Sequence, residues 1–175
     1  MDLSVMTPDP RPKRGLKKKR MVSHEEIEHR TKRSSEDIHE IAYFERHKDD
    51  DPDCHMPARD FLSNECPPNV RIKLQNILIA VAKAPPKKFA GGGAWEAMSG
   101  DMNGWFEVRV DGPPSRTHFR LFCLIDYDAI GESEPLLVVV TGMKKRFRTT
   151  FNSSDYAKVR ILGDEYLKRN PRSTA

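Results

Sequence analysis

The sequence predicts an α+β domain: a curved, mainly antiparallel sheet with a helical hairpin packed on one face and a C-terminal helix. Three observations carry this expectation. Leu74, Ile77, Leu78, Val81 and Ala82 recur at three- and four-residue spacing, the stripe of a helix that covers a sheet. Three β-type segments follow at 105–110, 118–126 and 136–141, parted by turn residues. Asn152-Ser153-Ser154-Asp155 then reads as the cap of a last helix.

Residues 1–35 hold Pro8, Pro10 and Pro12, a lysine-rich run and almost no large apolar side chains, so they read as a disordered basic tail. The run 13–20 could meet a polyanion or be plain solvated charge. The domain itself is expected over 36–175. Residues 38–46 alternate as a first strand, with Ile41 and Tyr43 on one face and Ala42 and Phe44 on the other. Asp49-Asp50-Asp51-Pro52-Asp53 ends it as a solvated turn, since calcium-loop spacing is missing. Pro57 opens a short helix at 57–62, Pro67-Pro68 restart the chain, and Pro85-Pro86 stop the second helix. Gly91-Gly92-Gly93 is a connector. In the last helix Tyr156, Val159, Gly163, Tyr166 and Leu167 form the inward stripe, and all helices are expected on one sheet face.

Composition limits the function classes. The 175 residues are 37 % hydrophobic and 32 % charged, with a mean hydropathy of −0.68. No apolar run approaches the ~20 residues of a membrane span. No apolar stretch follows Lys17-Lys18-Lys19-Arg20, which argues against a secretory signal. Three cysteines, Cys54, Cys66 and Cys123, form no framework, so a reducing, cytoplasmic setting is expected. No metal motif or cofactor signature is visible, and no metal or cofactor is expected. Net charge is +5 over 1–35, −6 over 36–53 and +5 over 54–175.

The chemistry concentrates between Trp95 and Arg148. Alternation puts Phe106, Val108 and Val110 toward the helices and leaves Trp105, Glu107 and Arg109 on an open face. In the next strand His118, Arg120 and Phe122 share a face, so Arg120 and His118 can stand near Arg109. Lys144, Lys145, Arg146 and Arg148 lie at the exit of the third strand. Such cations can hold an RNA backbone and stabilise a pentacovalent phosphate. They could equally be a solvated edge that discourages strand pairing, or surface ion pairs, Arg109–Glu107 or Arg120–Asp126. His118 is the one neutral-pH proton carrier inside this region.

The pattern Trp95-Glu96-Ala97-Met98-Ser99-Gly100, then Gly104-Trp105-Phe106-Glu107-Val108-Arg109-Val110, Phe119-Arg120-Leu121-Phe122, and Val138-Val139-Val140 leading to Lys144-Lys145-Arg146-Phe147-Arg148, resembles the RelE/ParE toxin superfamily, in particular its HigB-like, phage-derived branch. The resemblance covers roughly residues 38–170 on an element-by-element reading. It implies a RelE-like fold and the toxin of a type II toxin–antitoxin system. The implied activity is that of a metal-independent, ribosome-associated mRNA endoribonuclease, in which the ribose 2′-hydroxyl attacks the adjacent phosphate. The implied partners are a cognate antitoxin, a helix-turn-helix protein, with mRNA and the ribosome; neither a membrane nor a small-molecule substrate is expected. Carried over residue by residue, Arg109, His118, Arg120 and Arg148 are the catalytic candidates. Lys144, Lys145 and Arg146 are the RNA-binding ones. Where some members place a reactive tyrosine or histidine, this chain has Phe147 and Phe151, which move no proton. Activity then rests on His118, on the cations alone, or is absent. Two alternatives stay open: a ParE-like toxin that binds gyrase without catalysis, and a phage-derived accessory protein that keeps the fold alone.

Overall fold

The structure is a computed structural model that describes residues 36–84, 86, 93–114 and 116–175. The basic tail 1–35 and most of the glycine connector lie outside the described residues. Among the described residues the chain is α+β, with five strands and three helices. In chain order these are β1 (Glu40–Tyr43), α1 (Pro57–Asn64), α2 (Pro68–Ala82) and β2 (Trp95–Ala97). β3 (Phe106–Gly112), β4 (Thr117–Asp126), β5 (Leu136–Lys145) and α3 (Ser153–Leu167) follow. The sheet order is β1-β5-β4-β3-β2, antiparallel throughout except for the parallel β1–β5 pair.

Both helices of the hairpin start at proline, where the missing N–H costs nothing. Val70, Leu74, Leu78, Val81 and Ala82 of α2 are buried against Phe106, Val108, Val110, Phe119, Leu121, Cys123, Leu137 and Val139. The expected split of the first strand holds: Ile41 and Tyr43 pack on this layer, Ala42 and Phe44 on the opposite one. A β2 edge strand was not foreseen. The last helix carries a full capping box, with the Asn152 side chain accepting from Asp155 N at 3.0 Å and the Asp155 carboxylate accepting from Asn152 N at 2.9 Å.

The expectation that all helices share one sheet face is corrected. α3 covers the other face, where Trp105, Phe122, Leu136, Val138, Val140, Val159 and Tyr166 form a second core. Trp105, expected on an open face, is buried there, because Gly163 leaves room for its ring. Leu167, expected inward, is 51 % exposed at the end of the helix. Among the described residues three glycines seat the three helices. An added Cβ would lie 2.4 Å from Val70 at Gly112, 2.0 Å from Phe61 at Gly142 and 2.3 Å from Trp105 at Gly163.

β5 contains a bulge. Phe122 opposes Thr141 while Cys123 opposes Val139, so Val140 is an extra residue. Before it, Leu136, Val138 and Val140 point to the α3 side; after it, Met143 and Lys145 do. The inserted residue inverts the phase of the strand for everything beyond it. At the other edge, residues 173–175 bond to β1 through Tyr43 and Glu45, and Arg172 is anchored to Asp126 at 2.6 Å.

Candidate functional site

The β-ladder assembles a polar face at the end of the sheet that α3 leaves uncovered. Across β3 and β4 the paired residues are Glu107 with Phe122, Arg109 with Arg120, and Asp111 with His118. Across β4 and β5 they are Phe122 with Thr141, Arg120 with Met143, and His118 with Lys145. The expected approach of Arg109, Arg120 and His118 is therefore what the structure has. Like charges directly opposite repel, and here carboxylates separate them.

Glu107 is the central one, buried with 6 % of its side chain exposed. Arg109 Nε donates to Glu107 Oε1 at 2.6 Å, and Arg120 Nε lies 3.9 Å from Glu107 Oε2. Arg109 also pairs with Glu96 on β2. Arg120 Nη1 donates to the Phe119 carbonyl at 2.9 Å and to Asp111 Oδ1 at 3.3 Å. His118 Nδ1 sits 2.8 Å from the same Asp111 oxygen, which leaves the opposite ring nitrogen for other partners. Burial alone would raise the Asp111 carboxyl, but the His118 hydrogen bond and the His118 and Arg120 charges outweigh it and hold it below its ordinary value.

Lys145 donates to Asp155 at 2.9 Å, which ties the α3 cap to this face. That bond holds the Asp155 carboxyl low. The next residue, Tyr156, is half-buried and packs edge-on against Phe122, with ring centroids 6.1 Å apart. Burial first, and then the Glu107 charge, raise its hydroxyl pKa, so it stays protonated at neutral pH. The sequence placed Tyr156 in the packed stripe; it also stands within electrostatic reach of Arg109 and Arg120.

The remaining basic candidates divide. Lys144 and Lys145 lie inside β5, not past its exit; as neighbours in a strand they point to opposite faces, and the bulge upstream decides which face each one takes. Lys144 turns to the hairpin side, 3.5 Å from Glu65. With Arg146 it borders an open cavity of ≈ 360 Å³ lined by Pro67, Pro114, Thr117 and Phe119. Arg148 stands beside the polar face, its Cζ 5.6 Å from the Phe147 ring centroid. Arg116, Arg146 and Arg148 are exposed and make no salt bridge among the described residues.

Away from this face, Asp126 is held low: burial would raise it, but the bond from Arg172 and a further one from Tyr166 at 2.8 Å prevail. The cysteines are free thiols; burial pushes Cys66 up to about 11 and Cys123 further, so neither is a ready nucleophile. Asp51, Asp53 and His55 approach one another within 4.8 Å, but Asp51 is already engaged by Arg46 at 3.3 Å and His55 at 2.8 Å. Among the described residues no helix is long and apolar enough to cross a membrane.

Sequence reasoning missed Glu96, Asp111 and the burial of Glu107. The available signal was the i, i+2, i+4 spacing of Glu107, Arg109 and Asp111, which shares one strand face. Comparison of the chain with protein-family models, with curated proteins and with solved structures gives no match.

Proposed function

We propose that the chain is the toxin of a type II toxin–antitoxin pair, a RelE/HigB-like endoribonuclease that cuts mRNA on the ribosome. The observation that carries the reading is the Arg109–Arg120 pair, set in register over one buried carboxylate with His118–Asp111 in the next row. An α+β order in which a helical hairpin precedes an antiparallel meander and a last helix supports the reading.

In this reading the two guanidiniums take a scissile phosphate by displacing Glu96 and Asp111, which are 34 % and 54 % exposed, while buried Glu107 keeps both arginines aimed. The free His118 nitrogen accepts the 2′-hydroxyl proton as the 2′-oxygen bonds to phosphorus. Tyr156 gives its proton to the departing 5′-oxygen. The products are a 2′,3′-cyclic phosphate and a 5′-hydroxyl. The arginines neutralise the charge that grows on the phosphorane. Asp111, displaced from Arg120 but still bonded to His118 Nδ1, orients the imidazole. Lys145 and Arg148 supply longer-range positive charge for the RNA, and the antitoxin neutralises the protein by covering this face.

The test is inducible expression in bacteria without antitoxin, followed by mapping of RNA 5′-ends. Growth arrest with codon-positioned cuts is expected, lost in Arg109→Ala and in Arg120→Ala proteins that remain folded. Arrest with intact mRNA and a gyrase-linked DNA-damage response would refute cleavage and favour the gyrase-binding alternative.

A further inference from the structure

Phe147 lies just past β5 and is 43 % exposed, the one aromatic among the exposed large hydrophobic side chains of the described residues. Three groups surround its ring. Arg116 Cζ is 5.5 Å from the centroid, Arg148 Cζ is 5.6 Å away, and the His118 ring centroid is 5.9 Å away. Arg116 comes from the β3–β4 turn and Arg148 from the segment after β5, so two separate loops bring guanidiniums to one aromatic ring. Both arginines have left-handed backbones, φ 55° and φ 67°. Among the described residues only Cys54 is another non-glycine with positive φ. That conformation is disfavoured for residues with a Cβ, and its pairing at one aromatic suggests a use beyond packing.

We infer that Phe147, flanked by Arg116 and Arg148, is a stacking platform for an unpaired RNA base beside the scissile phosphate. The inference rests on the ribonuclease reading and deepens it by assigning a base-binding subsite. An exposed ring offers a π-face to any base, and flanking guanidiniums can stack on that base and hold its phosphates. His118 connects the platform to the reactive face, since it touches Phe147 on one side and Asp111 on the other. This also gives a purpose to a phenylalanine where a proton carrier would otherwise be expected: the ring positions and His118 moves the proton.

The test uses the purified full-length protein and a short single-stranded RNA with 2-aminopurine placed at one position after another, at low salt. Stacking should quench the fluorescence at one position only. Phe147→Ala should abolish that quench and weaken binding by about five- to a hundred-fold, the range of a single base–aromatic stack. Phe147→Trp should retain both. Removing the base at that position should weaken the parent and leave Phe147→Ala indifferent. The ring is exposed, and circular dichroism of each variant checks the fold. Equal quench and affinity in parent and Phe147→Ala, or no RNA binding by the parent at all, would overturn the platform. RNA that is bound and quenched by the parent but never cut, even on ribosomes, would sustain the platform and remove the nuclease reading.

Discussion

Glu107→Gln isolates the carboxylate on which the polar face is built. The substitution preserves volume and one acceptor but removes the charge. Glu107 is 6 % exposed and faces two arginines. Loss of a fully buried partner costs about 3–5 kcal/mol. Arg109, however, is 38 % exposed and keeps Glu96, and Arg120 keeps Asp111 and the Phe119 carbonyl. The appropriate scale is therefore that of hydrogen bonds to charged groups, about 1.5–3 kcal/mol. For a domain of this size 2 kcal/mol lowers Tm by about 4–8 °C. Thermal and urea denaturation measure this directly, with Glu96→Gln as the control. Glu96 is 34 % exposed, so its loss should cost under about 1 kcal/mol. RNA cleavage should also fall in Glu107→Gln at temperatures where it is fully folded, because each guanidinium then loses its buried charged partner and keeps only partners that the phosphate displaces or a neutral carbonyl. Identical Tm values for Glu107→Gln and the parent would refute the claim that this carboxylate organises the face.

Three further outcomes are expected. Gly163→Ala should lower Tm, because its Cβ would lie 2.3 Å from the ring of buried Trp105; about 1–3 kcal/mol of overpacking exceeds the roughly 1 kcal/mol gained in helix propensity, and a higher Tm would contradict the seating described for α3. Glu96→Gln combined with Asp111→Asn should tighten single-stranded RNA binding at low salt, an advantage that shrinks as salt rises; unchanged or weaker binding in a filter assay would show that these carboxylates do not compete with phosphate. Asp126 is held below its ordinary 3.8, so its stabilisation is complete above that value and disappears as pH falls through the folded-state pKa. Urea unfolding from pH 7 to pH 2 should accordingly show a shallower acid loss in Asp126→Asn than in the parent, on a lower neutral plateau, and parallel curves would discount the Arg172 anchor.

Local chemistry made much of this fold legible. Period-two alternation placed Arg109 and Arg120 on the same side, prolines marked both hairpin helices, and Asn152 with Asp155 marked the start of α3. The bulge was not legible, because Val138, Val139 and Val140 are chemically identical and nothing local says which one is extra. That single residue decides that Lys145, and not Lys144, stands on the α3 side. β2 is three residues long, too short for periodicity to register. The carboxylates were hidden for a different reason: Glu96, Glu107 and Asp111 come together only through strand register, a non-local property. The burial of Trp105 was hidden likewise, since it depends on Gly163, 58 positions further on.

Asp155 serves two masters. Its carboxylate closes the first turn of α3 and also accepts the bond from Lys145. A polyanion that draws Lys145 toward itself leaves that carboxylate to the helix cap alone, and a cap that holds the carboxylate more tightly in turn frees Lys145 for the anion. The two equilibria are thermodynamically linked, and the coupling is reciprocal. Tyr156 is the adjacent residue, so the helix end that carries its hydroxyl responds to what is bound at the sheet. Order in the opening turn of α3 thus becomes a reporter of occupancy, readable by amide exchange at the first residues of the helix.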